Sequence, residues 1–132
     1  MIIKIMPDRE KVKSMLRMAL ERKEFVSTID PEKFSTNAAE NYYEVIKELA
    51  TAMLLLDGKK AIGENAHKEL LESLVKYPPF AQSDIVFLND LRIKRNNSLY
   101  EGKRIEPQYL KNSLGKINQL IIKLKNTVEK NL

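Results

Sequence analysis

The stretch LRIKRNNSLYEG, residues 91–102, gathers the side chains of this chain best suited to chemistry. On a helix Arg95 falls four residues after Leu91 and seven after Leu88, so it continues their apolar stripe instead of facing outward. Arg92 lies one turn earlier and Asn96 four residues after it, which sets two guanidinium groups and an amide on adjoining positions. A buried guanidinium without a partner is costly, so the cluster must meet an acid, a phosphate or water-filled space. Two arrangements satisfy that demand. One is an ion pair between Arg95 and an acid of the second helix; the other is a cleft that receives phosphate, for which the planar, permanently charged guanidinium is suited. On a continued helix Tyr100 stands about 140° round from Arg95. Gly102 lets the chain turn there, which would bring the phenol back toward the arginine.

The charge balance points the same way. Residues 91–132 hold ten Lys and Arg against three acids, whereas residues 1–90 hold thirteen against fifteen. A basic end attracts phosphate and releases counterions on binding, so RNA or a nucleotide is the natural partner; a lysine-rich solvated helix face accounts for part of the same charge. Lys94, Lys103 and Arg104 extend the candidate phosphate-binding set beyond Arg92 and Arg95.

Other chemistries are excluded by composition. Cysteine is absent, which removes disulfides and thiolate metal sites and fits a reducing cytoplasm. His67 is the one histidine, so no multi-histidine metal site can form, and neither a metal nor a cofactor is implied. It falls at the start of the third helix, as a surface or capping residue or at the edge of a cleft near the ends of the second and fourth helices. The opening MIIKIMPDRE has too short an apolar start for a signal peptide, and AMLLL at 52–56 is far below a membrane span.

The elements that must position the cluster read as helices. Asp8 caps a first helix with Val12, Met15, Leu16, Ala19 and Leu20 on one stripe, ending near Lys23. A second helix starts at Pro31 or a turn later, carries Tyr42, Tyr43, Ile46, Leu49 and Met53, and stops at Asp57-Gly58. Glu40, Glu44 and Glu48, four apart on another face, read as a solvated acidic ridge. GKKAIGEN reads as a turn, and Ala66, Leu70, Leu71, Leu74 and Val75 make a short third helix closed by Tyr77-Pro78-Pro79. Ser83 would cap a fourth helix with Ile85, Leu88, Leu91 and Leu99 inward. Pro107 opens a fifth, where Leu110, Leu114, Ile117, Ile121, Leu124 and Val128 form a heptad seam fit for a bundle or a dimer. Only IIKIM suggests a strand. The expectation is one all-α domain over residues 1–132, an up-and-down bundle of about five helices.

Two segments carry a resemblance. AENYYEVIKELATAMLLLDGKKA, residues 39–61, and LNDLRIKRNNSLYEG, residues 88–102, resemble the long second helix and the signature segment of the HEPN domain family, small helical bundles that typically dimerise. The likeness extends over roughly residues 35–125. It implies a two-fold dimer that brings two copies of the Arg92, Arg95, Asn96 and Tyr100 cluster to a shared basic groove, and a role in binding RNA or a nucleotide. Ribonuclease members carry an arginine, a polar residue right after it and a histidine a few residues on. Arg95 and Asn96 match the first two positions, and Tyr100 stands where the histidine would be. By resemblance Arg95, Asn96 and Tyr100 are thus the candidate catalytic set, with Arg95 stabilising phosphate charge, Asn96 positioning it and Tyr100 bonding to it. A phenol, with an ordinary pKa of about 10, moves protons poorly near neutral pH. Binding is therefore expected ahead of cleavage. The resemblance also implies an alternative: an interaction subunit paired with a small nucleotidyltransferase in a toxin–antitoxin-like system, with Tyr100 as contact or nucleotidyl acceptor.

Overall fold

The computed structural model describes all 132 residues. Its five helices are α1 (Arg9–Ser27), α2 (Ser35–Leu56), α3 (Ala66–Ser73), α4 (Gln82–Glu101) and α5 (Pro107–Asn131). This is the expected all-α bundle. It is organised around α2, which packs against each of the other four helices. The reason is visible in its residues: thirteen positions of α2 are buried, over a broad face that runs from Ala38 and Tyr43 through Ile46 and Leu49 to Leu54. A helix with so wide an apolar face belongs at the centre, and its remaining stripe, from Asn37 through Glu40, Glu44 and Glu48 to Thr51, is polar and only partly buried. The buried apolar residues of the whole chain form one cluster of 29.

Asp8 caps α1 as expected, accepting from the Lys11 N–H at 3.0 Å. The helix runs one turn past Lys23 because Val26, seven after Ala19 and fourteen after Val12, continues the buried stripe. The turn expected at GKKAIGEN instead holds a strand. β1 (Ile2–Lys4) and β2 (Lys59–Ala61) pair antiparallel, with Ile2 opposite Ala61 and Lys4 opposite Lys59. Three residues per strand give no alternation to read, and the pairing partner is over fifty residues away. Gly58 makes the junction between α2 and β2: its φ is +70°, and a Cβ there would lie 3.0 Å from the Ile5 carbonyl oxygen.

The third helix ends earlier than its apolar pattern suggests. Leu74–Lys76 form a 3-10 turn, which buries Leu74 but leaves Val75 exposed. On α4 the stripe Ile85, Leu88 and Leu91 is buried, whereas Leu99 is about half exposed. The inner row continues at Arg95 and Ser98 instead, where α2 offers carboxylates rather than apolar surface. The cap also differs from Ser83. Helix α4 starts after Ala81, whose N–H donates to the Asp84 carboxylate at 3.0 Å.

The seam of α5 is buried against α2, with Leu114 half-buried and Leu120 added to it. It is therefore used within the chain. The link between α4 and α5 is pinned to the start of α2: Ser35 Oγ donates to the Ile105 carbonyl at 2.7 Å, and the Ile105 N–H donates to Thr36 Oγ1 at 2.9 Å. No helix is long and apolar enough to cross a membrane.

Asp84, only 2% exposed, joins α4 to α5 by accepting from Lys116 at 2.6 Å and Lys123 at 3.2 Å. Burial alone would raise its pKa, but Lys116, the Ala81 N–H and Lys123 outweigh it and hold the carboxyl at about 2. A depressed carboxylate pKa stabilises the fold above the unfolded value of 3.8, and that stability is lost as pH falls toward 2. Asp84→Asn is expected to cost about 2 kcal/mol in urea unfolding at pH 7. The penalty should shrink sharply at pH 2.5, and an equal loss at both pH values would show that the charge is not what matters.

Candidate functional site

Antiparallel packing of α4 on α2 builds the site. Ser98 Oγ donates to Glu40 at 2.7 Å and Arg95 Nη2 to Glu44 at 3.0 Å, so contacts move down α2 as they move up α4. Glu48, the third acid of the row, pairs with Arg22 of α1. The row is thus not the solvated ridge that its spacing suggests. The row stays partly exposed, but α1 and α4 flank it and each carboxylate is taken by a neighbour's donor.

Of the two arrangements open to Arg95, the ion pair forms: its side chain is 14% exposed and held by Glu44, which Lys47 also meets at 2.8 Å. Its guanidinium carbon lies 5.2 Å from the centre of the Tyr43 ring, close enough for a cation–π contact. Yet Arg95 also borders open space. Together with Arg92, Asn96 and Tyr100 it lines one side of a cleft of about 350 Å³, whose other side is the segment Gly63–Lys68 at the start of α3. Ion pair and cleft coexist because Glu44 approaches only one edge of the guanidinium fork.

Arg92 has no acid partner. Its Nε donates to Asn89 at 3.2 Å and the guanidinium makes no ion pair. Opposite it, the N–H groups of His67 and Lys68 open α3 without any acceptor, and Asn65 makes no side-chain cap. Donors therefore face the cleft from both walls, which suits an anion. Glu64, on the same wall, is the acid in the lining.

Tyr100 sits at the cleft rim, 78% exposed, on helix that continues to Glu101; Gly102 turns the chain only afterwards, at φ +65°. No swing back is needed. Three other candidates lie elsewhere. Lys94 is over the Tyr109 ring at 4.7 Å and lines a separate pocket with Lys103 and Arg104, and Lys103 pairs with Glu101 at 3.3 Å. The basic set so divides into two patches, because Lys94 is about 100° round the helix from Arg95.

His67 is the residue whose role the sequence left open. It is a wall of the arginine cleft, and its ring meets Tyr43 at 6.5 Å, tilted by 55°. Partial desolvation, then the Lys47 and Arg95 cations, lower its pKa below the ordinary 6.5, so the imidazole is neutral at pH 7. Its only sequence signal was that it opens a helix next in order after α2. No group of His, Asp and Glu is placed to hold a metal ion.

Tyr43 lies beneath both the His67 ring and the Arg95 guanidinium. Its hydroxyl is fully buried and has no hydrogen-bond partner, and burial pushes its pKa up to about 12 despite the nearby arginines. A buried hydroxyl left unpaired costs stability, so Tyr43→Phe should raise the unfolding free energy by about 1 kcal/mol. Destabilisation of similar size in urea titrations would instead reveal a partner for the phenol.

No protein-family model matches the chain, and no curated protein or solved structure matches it.

Proposed function

We propose that this chain is a HEPN-like domain that binds RNA or a nucleotide by its phosphate, in the cleft between α4 and the start of α3, and that it works in the cytoplasm as a two-fold dimer. The observation that carries this reading is Arg92: a guanidinium with no acid partner, facing free backbone N–H groups across open space. Arg95 adds a second, pre-positioned guanidinium, and Asn96 an amide. Such donors act on whatever anion enters, and their fixed placement avoids reorganisation on binding.

Cleavage is the secondary activity in this reading. Arg95 would neutralise charge on the phosphate, Asn96 would orient it, and Tyr100 would bond to it from the rim. The imidazole of His67, its pKa lowered by partial burial and the nearby cations, lines the same cleft and gives it a proton acceptor. Support for the dimer comes from α4, whose Val86, Ile93 and Tyr100 are spaced by seven and all exposed. The seam of α5 is not available for that contact.

Binding of a labelled mixed-sequence RNA, measured without metal over a range of salt, tests this. Affinity should fall log-linearly with salt, and Arg92→Ala and Arg95→Ala should each weaken it about tenfold with a shallower slope. Ile93→Glu should halve the sedimenting mass and weaken binding. Unchanged affinity in Arg92→Ala would remove the site.

The exposed phenol of Tyr100, which makes no hydrogen bond, favours the second reading: an interaction subunit of a nucleotidyltransferase in a toxin–antitoxin-like pair. Incubation with such an enzyme and ATP should add one nucleotidyl mass that Tyr100→Phe abolishes. An unchanged mass spectrum would count against it.

A further inference from the structure

The arginine cleft is not the only space that His67 borders. Across Ala66 and His67 lies a second pocket, of about 160 Å³, between α2, β2 and α3. Its apolar lining comes from Leu54, Ala61, Ala66 and Leu70, and its polar edge from Thr51, Lys47 and Lys60. Lys47 is tied to Glu44 at 2.8 Å, whereas Lys60 is exposed and makes no ion pair. The two pockets share only Ala66 and His67.

Their chemistries are opposite. The arginine cleft offers guanidinium and backbone N–H donors, the demand of a phosphate. The smaller pocket offers apolar surface beside an imidazole; at its edge the Lys60 ammonium is a donor, and the Thr51 hydroxyl, which donates to the Lys47 carbonyl at 2.7 Å, is left as an acceptor, the demand of a flat base carrying both acceptor and donor atoms. Two such spaces meeting at one ring match the two halves of a single ligand. His67 itself is steadied by Tyr43, which backs its ring.

We infer that the two pockets form one site for a nucleoside phosphate, with the phosphate between Arg92, Arg95 and the start of α3, and the base across His67 against Leu54 and Leu70. This rests on the arginine cleft being a phosphate site and adds where the rest of the nucleotide goes. Thr51 and Lys60 become the residues that face the base. A nucleotide unit bound this way crosses the start of α3, so a strand would run from the α4 side of the molecule toward β2.

Calorimetric titration of the full chain with inorganic phosphate, ribose 5-phosphate and each nucleoside monophosphate reads the two halves separately. At least one nucleoside monophosphate should bind tenfold or more tightly than ribose 5-phosphate. Thr51→Trp, which fills the smaller pocket from a half-buried position, should erase that difference and leave ribose 5-phosphate binding unchanged. Lys60→Glu, at an exposed strand position, should reduce the difference without disturbing the fold, and serves if the tryptophan variant does not fold. Equal binding of ribose 5-phosphate and all the nucleoside monophosphates would overturn the base pocket while leaving the phosphate site standing. Binding of none of the probes would overturn both.

Discussion

The row of carboxylates on α2 is the constraint from which the rest of the structure follows. Helix α2 packs against four neighbours, and Glu40, Glu44 and Glu48 sit on its one polar stripe, partly covered by the flanking helices. Each is partly desolvated by its neighbours and gains by meeting a donor on an adjoining helix. Ser98 and Arg95 answer from α4, and Arg22 from α1. These pairings fix the register of α4 on α2. They also explain why the inner row of α4 changes from leucine to arginine and serine halfway along.

The cleft is a product of that register. Once Glu44 holds Arg95 over Tyr43, Arg92 and Asn96 are carried to the same side, opposite the start of α3. The position of α3 depends in turn on the short strand pair and on Gly58, which set its approach to α2. An ion pair that looks purely structural thus places a guanidinium for an incoming anion, in the way that a supporting residue holds a binding group ready. At the far end of α4, Asp84 and its two lysines perform the comparable task between α4 and α5.

Much of the architecture was legible from periodicity. The five helices, the capping role of Asp8, the stop at Asp57-Gly58 and Pro107 at the start of α5 all follow from local signals that act within a few residues. The errors fall where a distant contact overrides local preference. Val26 extends α1 because a buried seat exists for it, Leu99 is exposed because Arg95 and Ser98 occupy the inner row, and Lys59–Ala61 is a strand only because Ile2–Lys4 lies beside it.

The site divides along the same line. Sequence by itself determined that Arg92, Arg95, Asn96 and Tyr100 share one region of one helix, because helical spacing is a local property, and that the arginines must meet an acid, a phosphate or water, because burial makes an unpaired charge too costly. It could not decide which acid pairs with Arg95, that Lys94, Lys103 and Arg104 belong to another patch, or that His67 comes from α3 to complete the cleft. Those facts depend on how α2, α3 and α4 pack. Packing brings together residues dozens of positions apart, by matching buried surfaces and buried charges over the whole chain, and no short window of sequence holds that sum.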